Sequence, residues 1–212
     1  MRISWMGHSC FLIETKSGSK IITDPYESGS YSGALRYKPI NVRPDIVTIS
    51  HSHLDHCYIK DFKYAKIIDT PGISNVNDVK IEGISSYHDK LRGSQRGKNI
   101  IFLFETEGLR IAHFGDLGTL EINYSKLKGI DVAFVPVGGI FTINAHEAVK
   151  LMEDISPKIS IPMHYKTPEI DFNISGVDKF LKDKSYQQKK YLKLSAENIN
   201  TFKGVVVLDY QK

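Results

Sequence analysis

The sequence predicts an α/β (α+β) fold, an αβ/βα sandwich in one domain over residues 1–212. Three observations lead there. Short apolar and β-branched runs dominate the first two-thirds of the chain. Helical periodicity enters only after residue 144. No linker, low-complexity tract or internal repeat interrupts the sequence. With 212 residues, 41% of them hydrophobic and 25% charged, the chain is large enough to bury a core without staples.

Residues 3–5, 10–15 and 20–23 read as a β-meander, the last two runs joined by the turn Lys16-Ser17-Gly18-Ser19. Residues 26–43 are rich in Tyr, Gly and Ser without periodicity, so they form a loop placed to flank a site. Residues 45–50 follow Pro44 as a β-branched run and read as a buried strand. Residues 100–105 and 109–113 pair as a hairpin around Glu107-Gly108. Asn144-Ala145-His146-Glu147 has the form of a capping box, and Ala148, Val149, Met152 and Ile155 then follow at helical spacing up to Pro157. A second helix is expected from Ser175, with Val177, Phe180 and Leu181 inward, and residues 204–208 close the chain as a strand.

The chemistry concentrates in residues 51–56, His-Ser-His-Leu-Asp-His. Imidazoles and carboxylates bury badly without partners, and together they form the donor set that Zn²⁺ and similar ions prefer. His51 and His53, two apart on extended backbone, project to one side and can grip one ion. Asp55 and His56 point elsewhere and can start a second. The hexapeptide lies just beyond a strand end, and four other runs end on similar residues. Lys20–Thr23 leads to Asp24, Val79–Tyr87 to His88, residues 109–112 to His113 and then Asp116, and Ile159–Met163 to His164. All five points are therefore expected to converge on one edge of the fold, where layered α/β proteins build their sites.

Composition bounds the remaining possibilities. The two cysteines, Cys10 and Cys57, and the absence of a basic-then-apolar start fit a reducing, cytoplasmic setting. Cys57 reads as a small buried residue opening a helix. No run approaches the ~18 apolar residues of a membrane span. The net charge of +4 is spread out. The local excess at Lys182, Lys184, Lys189, Lys190 and Lys193 reads as a solvated face of a C-terminal helix and loop, so nucleic acid is not an expected partner.

Several stretches together match a known family: Trp5-Met6-Gly7-His8-Ser9, Asp24-Pro25, the hexapeptide, His88, Gly115-Asp116, Pro136-Val137-Gly138-Gly139 with Phe141-Thr142, and Pro162-Met163-His164-Tyr165. The chain resembles the metallo-β-lactamase-fold hydrolases, in particular the small stand-alone branch related to L-ascorbate-6-phosphate lactonases. The resemblance implies the four-layer αβ/βα sandwich of that family and two divalent ions, Zn²⁺ expected and Mn²⁺ or Fe²⁺ as alternatives. It implies one ion on His51, His53 and His88, a second on Asp55, His56 and His164, and Asp116 bridging them. Asp24 would accept from the free N–H of a ligating imidazole. His88 is preferred over His113 as third ligand, because the family pattern puts that ligand at the end of the preceding strand. His113 then becomes a support behind the ligands or a pocket group, and His146 a surface residue. His8 matches a family feature near the metals, although a structural role serves equally.

The implied reaction is hydrolysis by a hydroxide generated between the ions. Asp55 would orient the nucleophile, and metal-bound water, His8, His113 or Lys166 would protonate the leaving group. The expected partner is a small-molecule ester, lactone or phosphoester, anionic if the loop 89–99 with Lys90, Arg92, Arg96 and Lys98 folds over the site. Alternatives are a phosphodiesterase or nuclease, and a metal-dependent binding module without turnover. The segment between Asp116 and His164 is too short for the insert of the family's RNA-processing nucleases.

Overall fold

Strands buried on both faces read as unbroken apolar runs, and such strands form the centre of this structure. The computed structural model describes residues 1–211. From the N-terminus, β1 (Arg2–Gly7), β2 (Cys10–Glu14), β3 (Lys20–Thr23), β4 (Ile46–Thr48) and β5 (Lys66–Ile68) build one sheet. Next, β6 (Gly72–Val76), β7 (Val79–Tyr87), β8 (Lys98–Thr106), β9 (Leu109–His113), β10 (Val132–Pro136) and β11 (Ile159–Met163) build the second. The last three are divided between them. β12 (Tyr186–Lys189) and β14 (Gly204–Leu208) join the second sheet, and β13 (Leu192–Lys193) joins the first.

Register explains why the predicted strand tips meet. β3 and β4 run parallel with Thr23 opposite Thr48, so Asp24 and the hexapeptide leave the first sheet side by side. In the second sheet β9, β10 and β11 are parallel, with Phe134 opposite both His113 and Ile161. β7 pairs antiparallel with β8, and β8 with β9, so β7 points the same way as β9. The carboxyl ends of β7, β9 and β11 therefore deliver His88, Asp116 and His164 to one edge.

The sheets pack through apolar inner faces. Phe11 of β2 stacks on Phe134 of β10 at 4.0 Å between centroids, and both are fully buried. A second cluster lies on the other face of the first sheet, where Leu12, Ile22 and Val47 meet Tyr26, Leu35, Tyr37 and Phe62. Coil between residues 24 and 65 supplies that cover, so helices are few. The main one, Ala145–Ile155, begins with the expected capping box and buries Ala148, Leu151, Met152 and Ile155. No helix among the described residues is long and apolar enough to cross a membrane.

Three local expectations need correction. The second helix is a single turn, Asp178–Leu181, in which Phe180 is buried. The lysine-rich segment forms β12 and β13 rather than a helix and loop. These are edge strands of the two sheets; little of β12 is buried, which removes the alternation that marks a strand, and lysines on an edge discourage further pairing. Cys57 is half-exposed and opens no helix; its thiol lies 3.5 Å from the Ser52 carbonyl. In the loop 26–43, a single turn at Ser30–Gly33 contains left-handed Tyr31 and Ser32.

Removing the ring that joins the sheets should be costly. Phe134→Ala is expected to lower unfolding stability by about 3–5 kcal/mol, read from the urea midpoint at unchanged m-value.

Candidate metal centre

Asp24 sits at the end of β3 in a left-handed conformation (φ 39) and is completely buried. Its carboxylate accepts from the Ser50 backbone N–H at 2.7 Å, from Ser50 Oγ at 2.5 Å and from His56 Nδ1 at 2.9 Å. Burial pushes its pKa up, but His113, His56 and His51 together outweigh that and hold it below the usual carboxylate range. Because Nδ1 of His56 donates to Asp24, Nε2 is the atom the ring turns toward the centre. Ser50 Oγ, whose proton goes to Asp24, lies 2.9 Å from His51 Nδ1 and orients His51 in the same sense.

Asp116 is where these nitrogens meet. Its Oδ2 lies 3.3 Å from Nε2 of each of His56, His88 and His164, and 3.8 Å from Nε2 of His51. Nε2 of His51, Nε2 of His56 and Oδ1 of Asp116 are buried with no hydrogen-bond partner. Burial, reinforced by His56, pushes His51 down to about 3, so it is neutral at pH 7 with a lone pair to offer. Burial also acts against charge on His56 and on Asp116. Asp116 and Asp55 nevertheless drive His56 well above its ordinary value, and His164 and His56 hold Asp116 far below. A proton held on His56 is what balances the crowded carboxylates when no ion is bound, and a metal cation among these nitrogens would take that proton's place.

The donor atoms fall into overlapping groups compact enough for an ion, among them His51, His53 and His88, and His8, Asp55, His56 and His164. Every imidazole and carboxylate expected as a ligand is thus in one cluster, joined by Asp116. His8 sits against it, its Nε2 2.9 Å from Asp55 Oδ2. Burial, aided by His164, pushes His8 down to about 4, so the neutral ring donates to Asp55. On the other oxygen of Asp55, the Tyr31 hydroxyl donates at 3.0 Å.

Other expected groups are elsewhere. His113 is fully buried with both nitrogens committed, Nε2 donating to the Ser9 carbonyl at 2.8 Å and Nδ1 accepting from Gly115 N–H at 3.2 Å. It has no proton for a leaving group, and its contribution is to position the Gly115-Asp116 turn. His146 is exposed on its helix. Lys166 donates to the Phe172 carbonyl. The 89–99 loop is wound around Asp89, whose carboxylate accepts from the backbone N–H groups of Leu91, Gly93, Gln95 and Arg96. Lys90 pairs with Glu147.

Sequence reasoning left several supports unassigned. Asn99 Oδ1 accepts from the Asp116 N–H at 3.0 Å while its amide donates to Ser86 and Phe114. Backbone clearance matters at Gly118 and Gly138, where a Cβ would overlap the carbonyls of His88 and His164. A cavity of about 920 Å³ lies between Trp5, Tyr165 and Tyr210, and none of the expected ligands lines it. Converging donors, rather than volume, mark the candidate metal centre.

A two-sheet α/β sandwich with a His- and Asp-rich cluster on one edge defines the class of metal-dependent hydrolases of the metallo-β-lactamase type. Residues 2–164 match the Beta-lactamase superfamily domain, and the chain belongs to that superfamily. A UPF0173 protein from Pyrococcus abyssi is 33% identical, covering 79% of this chain and 84% of that protein. A UPF0173 metal-dependent hydrolase from Thermococcus kodakarensis is 30% identical, covering 79% and 85%. The crystal structure of a candidate Zn-dependent hydrolase of the metallo-β-lactamase superfamily from Thermotoga maritima aligns over 99% of both chains, with 38% identity and a TM-score of 0.79. The chain is a metal-dependent hydrolase of this superfamily.

The buried Asp24 sets up a direct test. Asp24→Asn keeps the shape but removes the charge facing His56, and zinc affinity is expected to fall about 10–100-fold, measured by competition with a chromogenic chelator. In Gly138→Ala the His164 backbone must move, and affinity should fall comparably while the far-UV circular dichroism is retained.

Proposed function

We propose that this hydrolase, acting as one domain over residues 1–212, cleaves a small ester, lactone or phosphoester with two divalent ions. The mixed imidazole and carboxylate donors favour Zn²⁺, with Mn²⁺ and Fe²⁺ as alternatives. His51, His53 and His88 would hold one ion, Asp55, His56 and His164 the other, and Asp116 would join the two. When bound, such a pair lowers the pKa of a shared water and polarises a carbonyl or phosphoryl oxygen.

One observation carries this reading: Asp116 Oδ2 stands 3.3 Å from Nε2 of His88 on one side and from Nε2 of His56 and His164 on the other. Asp24 and Asp89 are saturated by N–H and O–H donors, whereas Asp116 keeps Oδ1 without a hydrogen-bond partner and faces both halves of the cluster. The protein's own groups then supply order. Asp24 fixes His56 with its proton on Nδ1, and Ser50 does the same for His51. His8 and Tyr31 each donate to one oxygen of Asp55 and hold its plane. His8 acts as a positioning residue, because it is fully buried and already bonded to Asp55.

Elemental analysis after zinc loading should find about two ions per chain. Uptake should release protons, seen as a dependence of the calorimetric heat on the buffer's ionisation enthalpy, because the ligands must be deprotonated to bind. Chelator-stripped protein should lose turnover of an ester, lactone and phosphodiester panel and regain it on reloading. Asp116→Ala should bind at most one ion and stay at background. Undiminished turnover by stripped protein would reject the proposal.

A further inference from the structure

The open side of the centre carries apolar surface from several loops. Tyr31, Leu54, Ile140 and Phe141 are all among the exposed large hydrophobic residues. The two aromatic ones are joined into a row by half-buried Phe172. Tyr31 reaches Asp55 through its hydroxyl at 3.0 Å, and its ring meets Phe172 edge-on at 5.3 Å. Phe172 stands 6.0 Å from the His8 ring and 6.3 Å from Phe141. The Arg96 guanidinium lies over Phe141, 5.5 Å from its centroid. The row thus starts at a carboxylate of the centre and ends at a cation.

The backbone holds these side chains outward against its own preference. Tyr31 (φ 52) and Ile140 (φ 60) are left-handed, which for a β-branched residue is a clear outlier. Such conformations persist where surrounding structure enforces them, and they cluster at ligand sites. Arg96 is equally distinctive. Lys90 of the same loop pairs with Glu147, and Arg92 approaches Glu121 at 3.9 Å. Arg96, anchored through its backbone on Asp89, makes no ion pair among the described residues.

Resting on the hydrolase reading above, the geometry points to a substrate class: a planar apolar group lies along Tyr31, Phe172 and Phe141, an anionic group meets Arg96, and the scissile bond sits over Asp55 and Asp116. Aromatic walls reward a flat ring through stacked and edge-to-face contacts. An unpaired guanidinium beside them rewards a carboxylate or phosphate. Phe172, Phe141 and Arg96 are the specificity-determining residues, and Tyr31 both belongs to the wall and positions Asp55.

The test uses zinc-loaded protein and four methyl esters: phenylacetate, 4-carboxyphenylacetate, cyclohexylacetate and propionate. One methylene insulates each ring from the carbonyl, so intrinsic reactivity stays nearly constant. The phenylacetate ester is expected to show a KM about tenfold below the propionate and cyclohexylacetate esters, with a further drop for the 4-carboxy compound. Phe141→Leu and Phe172→Leu should erase the ring preference through KM with kcat little changed. Arg96→Gln should erase only the carboxylate increment. Tyr31→Phe should keep the ring preference and lower kcat. Calorimetric binding of phenylacetate against propionate, in wild type and the same variants, gives a readout independent of turnover. Equal KM and Kd across the series, or Leu variants that retain the preference, would overturn the inference. So would light scattering that shows a dimer dissociated by these substitutions. If none of these esters is hydrolysed but the binding preference and its loss persist, the planar anionic substrate class stands and the carboxylic ester is rejected as the scissile group.

Discussion

A carboxylate that water cannot reach stays ionised only if donors close around it, and the functional edge of this protein depends on that constraint at Asp24. Its three hydrogen bonds bind the end of β3 to the start of the hexapeptide and set the orientation of His56. The parallel pairing of β3 with β4 puts the donors within reach. With Asp24 in place, His56 faces Asp116, and Asp116 faces His88 and His164 from the opposite sheet. The two halves of the sandwich are joined at this edge by charge and in the interior by the stacked rings of Phe11 and Phe134.

The cluster is arranged in layers of decreasing freedom. Deepest are groups with every polar atom engaged, such as Asp24 and His113. Above them are side chains with one nitrogen tied and one free, as in His51 and His56. At the mouth stand Tyr31, Phe172 and Phe141, where apolar surface replaces hydrogen bonds. Rigid support beneath and reactive atoms above is the order that precise geometry requires. The 89–99 loop follows the same logic, with one buried carboxylate, Asp89, replacing an ordered set of backbone partners.

Much of this was readable from local sequence. The strand tips at Asp24, His51, His88, Asp116 and His164 could be found because an apolar run ending on a ligand-type residue is a local pattern. The capping box at Asn144 and Glu147 was equally legible, since its bonds span three residues. Expectations failed where the deciding contact was distant in sequence. His113 supports the Gly115-Asp116 turn as one reading allowed, but it fails as a proton donor because its ring turns toward the Ser9 carbonyl, 104 residues away. The lysine-rich segment became edge strands because β14 and β1 offered pairing partners.

What the sequence by itself determined was the inventory: which donors exist, which strands carry them and which edge they leave from, since periodicity and side-chain chemistry are properties of neighbouring residues. Tertiary structure decided the assignment of each group to a neighbour. It set Asp116 among three imidazoles, His8 and Tyr31 on the two oxygens of Asp55, and an aromatic row ending at Arg96. These are contacts between residues tens of positions apart, and only sheet register and packing bring them together.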